Sequence, residues 1–269
     1  MKLKVFINER EEVVEESSAF ALRDKYKKDA DIIILNGFPI KKDESLKDGD
    51  EVALIKRGEI PKKEELEFLM VSRHTPGVYQ ALKKARVAVA GAGGLGSNIA
   101  ISLARIGVGY IKVIDFDVVE PSNLNRQQYF IKQIGMKKVE ALKENIEAIN
   151  PFIEIEAIDK KIVSQNIDEL LSDVDIIVEA FDDPSNKAML VNEALIKFKD
   201  KKIVAASGMA GVYSNNLIET KKVNSRLYIC GDAVNGARPS EGLMAPRVAI
   251  CANHQANMVV RLLLNEEEV

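Results

Sequence analysis

The chain predicts an α/β protein in which a mostly parallel sheet carries helices on both faces, behind a small β-rich unit at the N-terminus. Three observations predict it. Arg86–Ala90 is a short apolar run, a glycine cluster follows, and from Asn98 to Ile106 the apolar residues Ile99, Leu103 and Ile106 fall at helical spacing. After that point, apolar runs of strand length alternate with amphipathic helical stretches. Before residue 58 the runs are short and separated by turn residues.

The first fifty-odd residues read ββαββ. Lys2 to Asn8 and Glu11 to Glu15 form a hairpin about Asn8-Glu9-Arg10. Ser17 or Ser18 caps a helix over Ala19 to Lys28. Asp31 to Leu35 is a β-branched strand closed by Asn36-Gly37, and Lys47-Asp48-Gly49-Asp50 turns into a strand over Glu51 to Ile55. Residues 59–82 read as a linker and helix, and 83–269 as one larger domain.

In that domain Gly91, Gly93, Gly94 and Gly96 lie on a turn between a strand and a helix. A G-x-G-x-x-G turn in this context lets backbone approach a phosphate, which the helix N-terminus then attracts. The arrangement is Rossmann-like. Tyr110 to Ile114 ends at Asp115, about twenty residues on, where a carboxylate can accept ribose hydroxyls. The loop after it, Asp115-Phe116-Asp117-Val118-Val119-Glu120-Pro121-Ser122-Asn123-Leu124-Asn125-Arg126-Gln127, is polar and carries an arginine. Chemistry on a triphosphate needs such cations on oxygens that gain charge.

A helix is expected from about Ile131 to Ile149, stopped at Asn150-Pro151, with Lys138 in its first turns. Strands follow at Ile153 to Ile158 and Val174 to Glu179. The second ends at Asp182-Asp183, ahead of a helix over Ser185 to Lys199. Ligands of open α/β sheets bind beyond the carboxyl ends of strands, so Asp182 is placed to hold Mg²⁺ while Asp183 caps the helix. Ile203 to Ala206 is another strand. Tyr213 to Glu219 and Arg226 to Cys230 read as an antiparallel pair, and Arg247 to Leu264 as a last helix.

The net charge is −3, with 46% hydrophobic and 29% charged residues, and gives no case for nucleic acid or an anionic membrane. No apolar run reaches the length of a membrane span, and the N-terminus lacks a signal-peptide pattern, so a cytoplasmic location is expected. Cys230 and Cys251 alone cannot make a four-cysteine zinc site, and both read as core residues.

With GAGGLGS at 91–97, DFDVVEPSNLNRQ at 115–127, the 135–140 segment, Asp182-Asp183 and Met244-Ala245-Pro246, the chain resembles the ThiF/MoeB/HesA family of adenylating enzymes. The first unit resembles ThiS and MoaD at Leu35-Asn36-Gly37 and Leu46 to Val52, which implies a β-grasp fold. The resemblance implies ATP-dependent adenylation of the C-terminal glycine of a ThiS-like carrier ending in Gly-Gly, in thiamine (thiazole) biosynthesis, by a homodimer. MoaD is the alternative carrier, and an NAD-dependent oxidoreductase is the rival of another class. Asn123, Gln127, Arg126 and Lys138 would address phosphates, Asp115 the ribose and Asp182 the metal. Arg73 is the nearest match to an arginine that reaches the neighbouring subunit's ATP. Lys187 stands where the family often has arginine. Where many relatives carry a loop cysteine, this chain has Arg238, and their zinc-binding cysteine pairs are absent, so a zinc-free branch is implied. The N-terminal unit runs on through Arg57-Gly58-Glu59-Ile60-Pro61 with no Gly-Gly, so it is expected to dock partners, support a dimer or gate the carrier site rather than to be adenylated.

Overall fold

Strict alternation along β1 (Leu3–Ile7) buries Leu3, Val5 and Ile7 on one face of a five-stranded sheet. The computed structural model describes residues 2–75 and 77–269, and the chain divides into the units Met1–His74 and Thr75–Val269. In the first unit β1 pairs antiparallel with β2 (Arg10–Val14) through a turn in which Asn8 and Glu9 have φ of 47° and 66°. Ser18 caps α1 (Ala19–Tyr26), its hydroxyl accepting from the Ala21 N–H at 3.4 Å. Then come β3 (Ile32–Leu35), β4 (Phe38–Ile40) and β5 (Glu51–Ile55), in the sheet order β2-β1-β5-β3-β4 with β1 and β5 parallel. Leu22 of α1 packs on Val5, Ile33, Leu35, Val52 and Leu54, which is the β-grasp arrangement.

Two readings shift here. The Asn36-Gly37 turn does close β3, but it opens β4, a three-residue strand containing Pro39 that is too short for a periodic signal. The first unit also extends past residue 58 to include α2 (Lys63–Val71), which has no fully buried residue. The Arg10 guanidinium lies 4.9 Å from the centre of the Phe68 ring on this helix.

The second unit runs α3 (Val78–Leu82), β6 (Arg86–Ala90), α4 (Gly94–Ile106), β7 (Tyr110–Asp115), α5 (Lys138–Ile149), β8 (Glu154–Asp159), α6 (Ile167–Leu171), β9 (Ile176–Glu179), α7 (Pro184–Lys197), β10 (Lys202–Ala206), β11 (Glu219–Lys222), β12 (Leu227–Gly231) and α8 (Ala245–Leu263). Its seven strands are ordered β11-β12-β10-β9-β6-β7-β8, parallel except for the β11–β12 pair. Helices α4, α5 and α8 cover one face, where Leu95, Ile99, Leu103, Leu142, Ile146 and Val259 share a core. Helices α6 and α7 cover the other through Ile167, Leu171, Leu190 and Ala194. Each such side chain contributes roughly 1.5–3 kcal/mol by leaving water. From β6 the chain runs outward to β7 and β8, then returns across the sheet to β9 on the other side of β6. The strand order therefore reverses at β6 and β9, and a crevice opens beyond their carboxyl ends.

The helix expected over Ile131 to Ile149 is broken in two. Ile131–Gln133 is a single 3-10 turn, Gly135 takes φ 87°, and α5 starts only at Lys138. The break has a physical reason: the Gly135 N–H donates to Val119 O and the Val119 N–H to Met136 O, so this stretch pairs with the loop after β7. The antiparallel pair also forms late. Asn215–Leu217 is a 3-10 turn capped by Ser214, and β11 begins at Glu219. Among the described residues no helix is long and apolar enough to cross a membrane.

Candidate functional site

Gly91, Gly93, Gly94, Asp115, Arg126, Gln127, Lys138 and Asp182 line one cleft of about 980 Å³ at the reversal point of the sheet. Eight residues picked from sequence thus meet in one place, drawn from β6, β7, β9, the loop after β7 and the starts of α4 and α5.

The glycine turn is shaped by close contacts. Gly91 has φ 102°, and its N–H donates to Ile114 O at 2.8 Å. Gly96 does not line the cleft but lies beneath it, where an added Cβ would sit 1.8 Å from the Gly91 carbonyl oxygen. Gly93 is different: the nearest atom to an added Cβ there is Gln127 Nε2 at 4.0 Å. No side chain caps α4 at Gly93, which leaves the first N–H groups of the helix available at the cleft. Gly93→Ala is therefore expected to fold with little loss of stability yet weaken ATP binding about tenfold or more, by roughly 1.4 kcal/mol. Calorimetric titration beside a thermal melt checks this, and an unchanged ATP affinity contradicts it.

Asp115 ends β7 with both carboxylate oxygens engaged, Oδ2 by the Ala92 N–H at 2.7 Å and Oδ1 by the Asp117 N–H at 2.8 Å. Each oxygen keeps a lone pair for a hydroxyl donor. The buried Tyr129 hydroxyl donates to Ala92 O at 2.7 Å and holds the same turn from behind. Burial pushes the Tyr129 phenol well above its usual range, with the Asp115 and Asp117 carboxylates adding to the shift, so it stays a donor.

The loop after β7 is tied to the first turns of α4. Asn98 donates to Gly94 O and to Arg126 O, Gln128 Nε2 donates to Asn98 Oδ1, and the Gln128 N–H donates to Ser97 Oγ. This presents Arg126, whose Nη1 donates to Ser122 O at 3.1 Å and Asn125 Oδ1 at 2.8 Å. Its Nε is buried without a partner, as is Oε1 of Gln127, a residue only 8% exposed. Orphaned polar atoms at a cleft wall suit a ligand that supplies the missing partners. Asn123 has another task. Its Oδ1 accepts the Glu120 N–H at 3.0 Å and closes a 3-10 turn over Pro121–Asn123, and it does not line the cleft. Arg73 lies in the N-terminal unit, donating through Nε and Nη2 to Glu9 Oε1 at 3.1 and 2.9 Å.

Lys138 is nearly buried, and its ammonium donates to Asp117 Oδ2 at 2.8 Å. Asp183 Oδ1 accepts the Asn186 N–H at 2.8 Å and caps α7, as the neighbouring-aspartate reading requires. Asp182 is left exposed at the cleft with no protein partner among the described residues. A free carboxylate beside phosphate-binding groups fits Mg²⁺, a hard cation that keeps waters and takes one or two carboxylates. No cluster of three or more His, Cys, Asp or Glu side chains occurs among the described residues.

Lys187 contacts neither wall directly. It spans both oxygens of the buried Glu179 at 2.9 Å and donates to Ala206 O, bracing β9 against β10. The sequence reading missed Asp117, Lys160, Lys161, Phe181 and Asn186 as cleft residues. Asp117 was legible as the second acid of DFD; the others come from strand ends that only the topology brings in.

The wall from β10 to α8 rests on Arg247. Its guanidinium donates to the carbonyls of Ala210, Tyr213 and Ser214 and pairs with Asp232, both side chains being 4% exposed. Arg238, in the loop position that is a cysteine in many relatives, pairs with Glu241 at 2.9 Å. Both cysteines are core residues, as expected: burial pushes the Cys230 thiol up to about 11 and Cys251 to about 12. Neither is expected to react with iodoacetamide in the folded protein at about pH 8, because thiolate is the nucleophile. Mass spectrometry reads this directly, and alkylation at the rate of a free thiol contradicts it.

With this geometry in hand, comparison with known proteins is specific. The profile of the ThiF family matches residues 67–269, and that of the ThiS-like ubiquitin domain residues 3–58. The sulfur carrier protein ThiS adenylyltransferase of Bacillus subtilis is 32% identical over 198 residues, 71% of this chain and 58% of that protein. The adenylyltransferase and sulfurtransferase MOCS3 of Anopheles gambiae is 32% identical over 201 residues, 70% of this chain and 43% of its own length. The chain spans about half the length of these curated relatives. The crystal structure of the E. coli tRNA N6-threonylcarbamoyladenosine dehydratase TcdA with AMP superimposes with a TM-score of 0.68 at 20% identity, covering 77% of this chain and 98% of that one. At that identity the likeness establishes the shared fold.

Proposed function

Because this chain belongs to the ThiF family, we propose that it adenylates the C-terminal glycine carboxylate of a ubiquitin-like sulfur carrier, using ATP and releasing pyrophosphate. The observation that carries this is the convergence of Arg126, Lys138, Asp182 and Asp115 with the glycine turn on one cleft.

The chemistry asks little of acid–base groups. The carrier carboxylate is ionised at neutral pH. Its oxygen attacks the α-phosphorus, the bond from that phosphorus to the bridging oxygen breaks, and pyrophosphate takes the electron pair. No proton moves, so alignment and charge stabilisation do the work. The free N–H groups at the start of α4 hold phosphate oxygens. Arg126 and Lys138 oppose the charge that grows on the leaving group, Gln127 supports the same wall, and Asp115 receives ribose hydroxyls. Asp182 is the residue that would hold Mg²⁺, which when bound neutralises phosphate charge. With NAD the cations at 126 and 138 and the free acid at 182 would have no triphosphate to serve.

The acyl acceptor is a separate chain. In the N-terminal unit β5 leads on through Arg57-Gly58 to α2, so it presents no terminal carboxylate there. A ThiS-like partner ending in Gly-Gly, hence thiazole formation, is favoured by the ThiS adenylyltransferase relative; a MoaD-like carrier is the second reading, favoured by MOCS3. We take the working unit to be a homodimer. The test is ATP–pyrophosphate exchange with each carrier in turn. Exchange that requires the intact Gly-Gly end supports the proposal, and the better carrier decides the branch. Tight ATP binding with no exchange from either carrier overturns it.

A further inference from the structure

We propose that Asp117 is a positioning residue that holds the Lys138 ammonium in place for the nucleotide phosphates. Three bonds make it the junction of the site. Its N–H donates to Asp115 Oδ1 at 2.8 Å, its carbonyl accepts the Lys138 N–H at 2.9 Å, and its Oδ2 accepts Lys138 Nζ at 2.8 Å. One residue thus fixes the spacing between the ribose acceptor and the phosphate cation.

The electrostatics of the cleft give that contact its purpose. The Lys138 side chain is 8% exposed and Asp117 is its one ion-pair partner among the described residues. An ammonium this deeply buried is costly unless paired. The other charges on the cleft walls are Arg126, Lys160 and Lys161 on the cationic side and Asp115 and Asp182 on the anionic side. Lys160 is committed to Glu169 at 2.7 Å, and the neighbouring Lys137 to Asp159 at 3.2 Å. Asp115 has both oxygens on backbone N–H groups. Asp117 is therefore the carboxylate that keeps Lys138 extended in the empty cleft. It does so with a negative charge set beside the phosphate path, which weakens ground-state ATP binding. The two effects have opposite signs in binding and in turnover, and that separates this role from a merely structural one.

The test is a double-mutant cycle of Asp117→Asn and Lys138→Met, with ATP affinity and the kcat and KM of carrier-dependent exchange measured for all four proteins. Asp117→Asn alone is expected to lower kcat about tenfold, through loss of Lys138 alignment, with KM for ATP unchanged or lower. In the Lys138→Met background the same change should alter kcat by less than about twofold. Equal kcat losses in both backgrounds, or a raised KM with kcat unchanged, overturn the inference. The kinetic arm rests on the adenylation reading, so a second measurement stands apart from it. In the nucleotide-free protein, acetylation of Lys138 followed by mass spectrometry should be slow and should speed up in Asp117→Asn. No exchange from the unsubstituted protein counts against adenylation; equal Lys138 labelling with and without the Asp117 carboxylate counts against the positioning role.

Discussion

Arg126→Ala is expected to lower ATP–pyrophosphate exchange about a hundred- to a thousandfold, roughly 3–4 kcal/mol of lost transition-state stabilisation. The side chain is held from below by Ser122 O and Asn125 Oδ1, while its buried Nε has no partner in the protein. Its remaining donors are thus kept for a ligand. Removing it gives up neutral hydrogen bonds worth about 1 kcal/mol each, so the melting temperature should fall by only a few degrees. Arg126→Lys should recover little, because an ammonium cannot reproduce the fork of a guanidinium. Exchange within a factor of about three of the parent protein would exclude a role for Arg126 at the phosphates.

The second large effect concerns stability. Arg247→Met should destabilise the second unit by about 3–5 kcal/mol, because it strips the cation from a buried pair and leaves Asp232 behind. Three carbonyls, of Ala210, Tyr213 and Ser214, lose their donor as well. Denaturant unfolding measures it, and a loss under about 1 kcal/mol would mean the pair is dispensable. A pH dependence follows from the same carboxylate. Burial alone would raise Asp232, but the Asn235 N–H and side-chain amide, the Val234 N–H and Arg247 outweigh it and hold the group at about 2, against an ordinary 3.8. A folded-state value below the unfolded one stabilises the protein in full above the ordinary value and is lost as pH falls through the folded one. Unfolding measured at intervals should therefore show Asp232-dependent stability disappearing between about pH 4 and about pH 2. Asp232→Asn should flatten that segment of the curve.

What could be read from sequence was whatever local chain geometry encodes. The glycine turn, Asp115 at a strand end, Arg126 on the following loop and Asp182 beside a helix-capping Asp183 all follow from short-range order of strand, turn and helix. They met in one cleft because the parallel order fixes which strand ends lie together. Long-range partners were not legible. Nothing near Lys187 in sequence announces Glu179 as its buried partner, and Asn123 in an asparagine-rich loop looks as available as Arg126 until the Glu120 N–H is seen to claim it. The break at Gly135 escaped because the apolar spacing from Ile131 onward continues through it. Backbone pairing with Val119 overrides that spacing, and the override is tertiary.

The burial of Cys230 and Cys251 bears on what happens after activation. A carboxylate joined to AMP is a mixed anhydride, prone to hydrolysis, and these 269 residues contain no other thiol that could take over the acyl group. A sulfur donor from outside would have to reach the anhydride. The lifetime of that species is then set by how well the bound carrier tail and the cleft walls keep bulk solvent away until the foreign sulfur arrives.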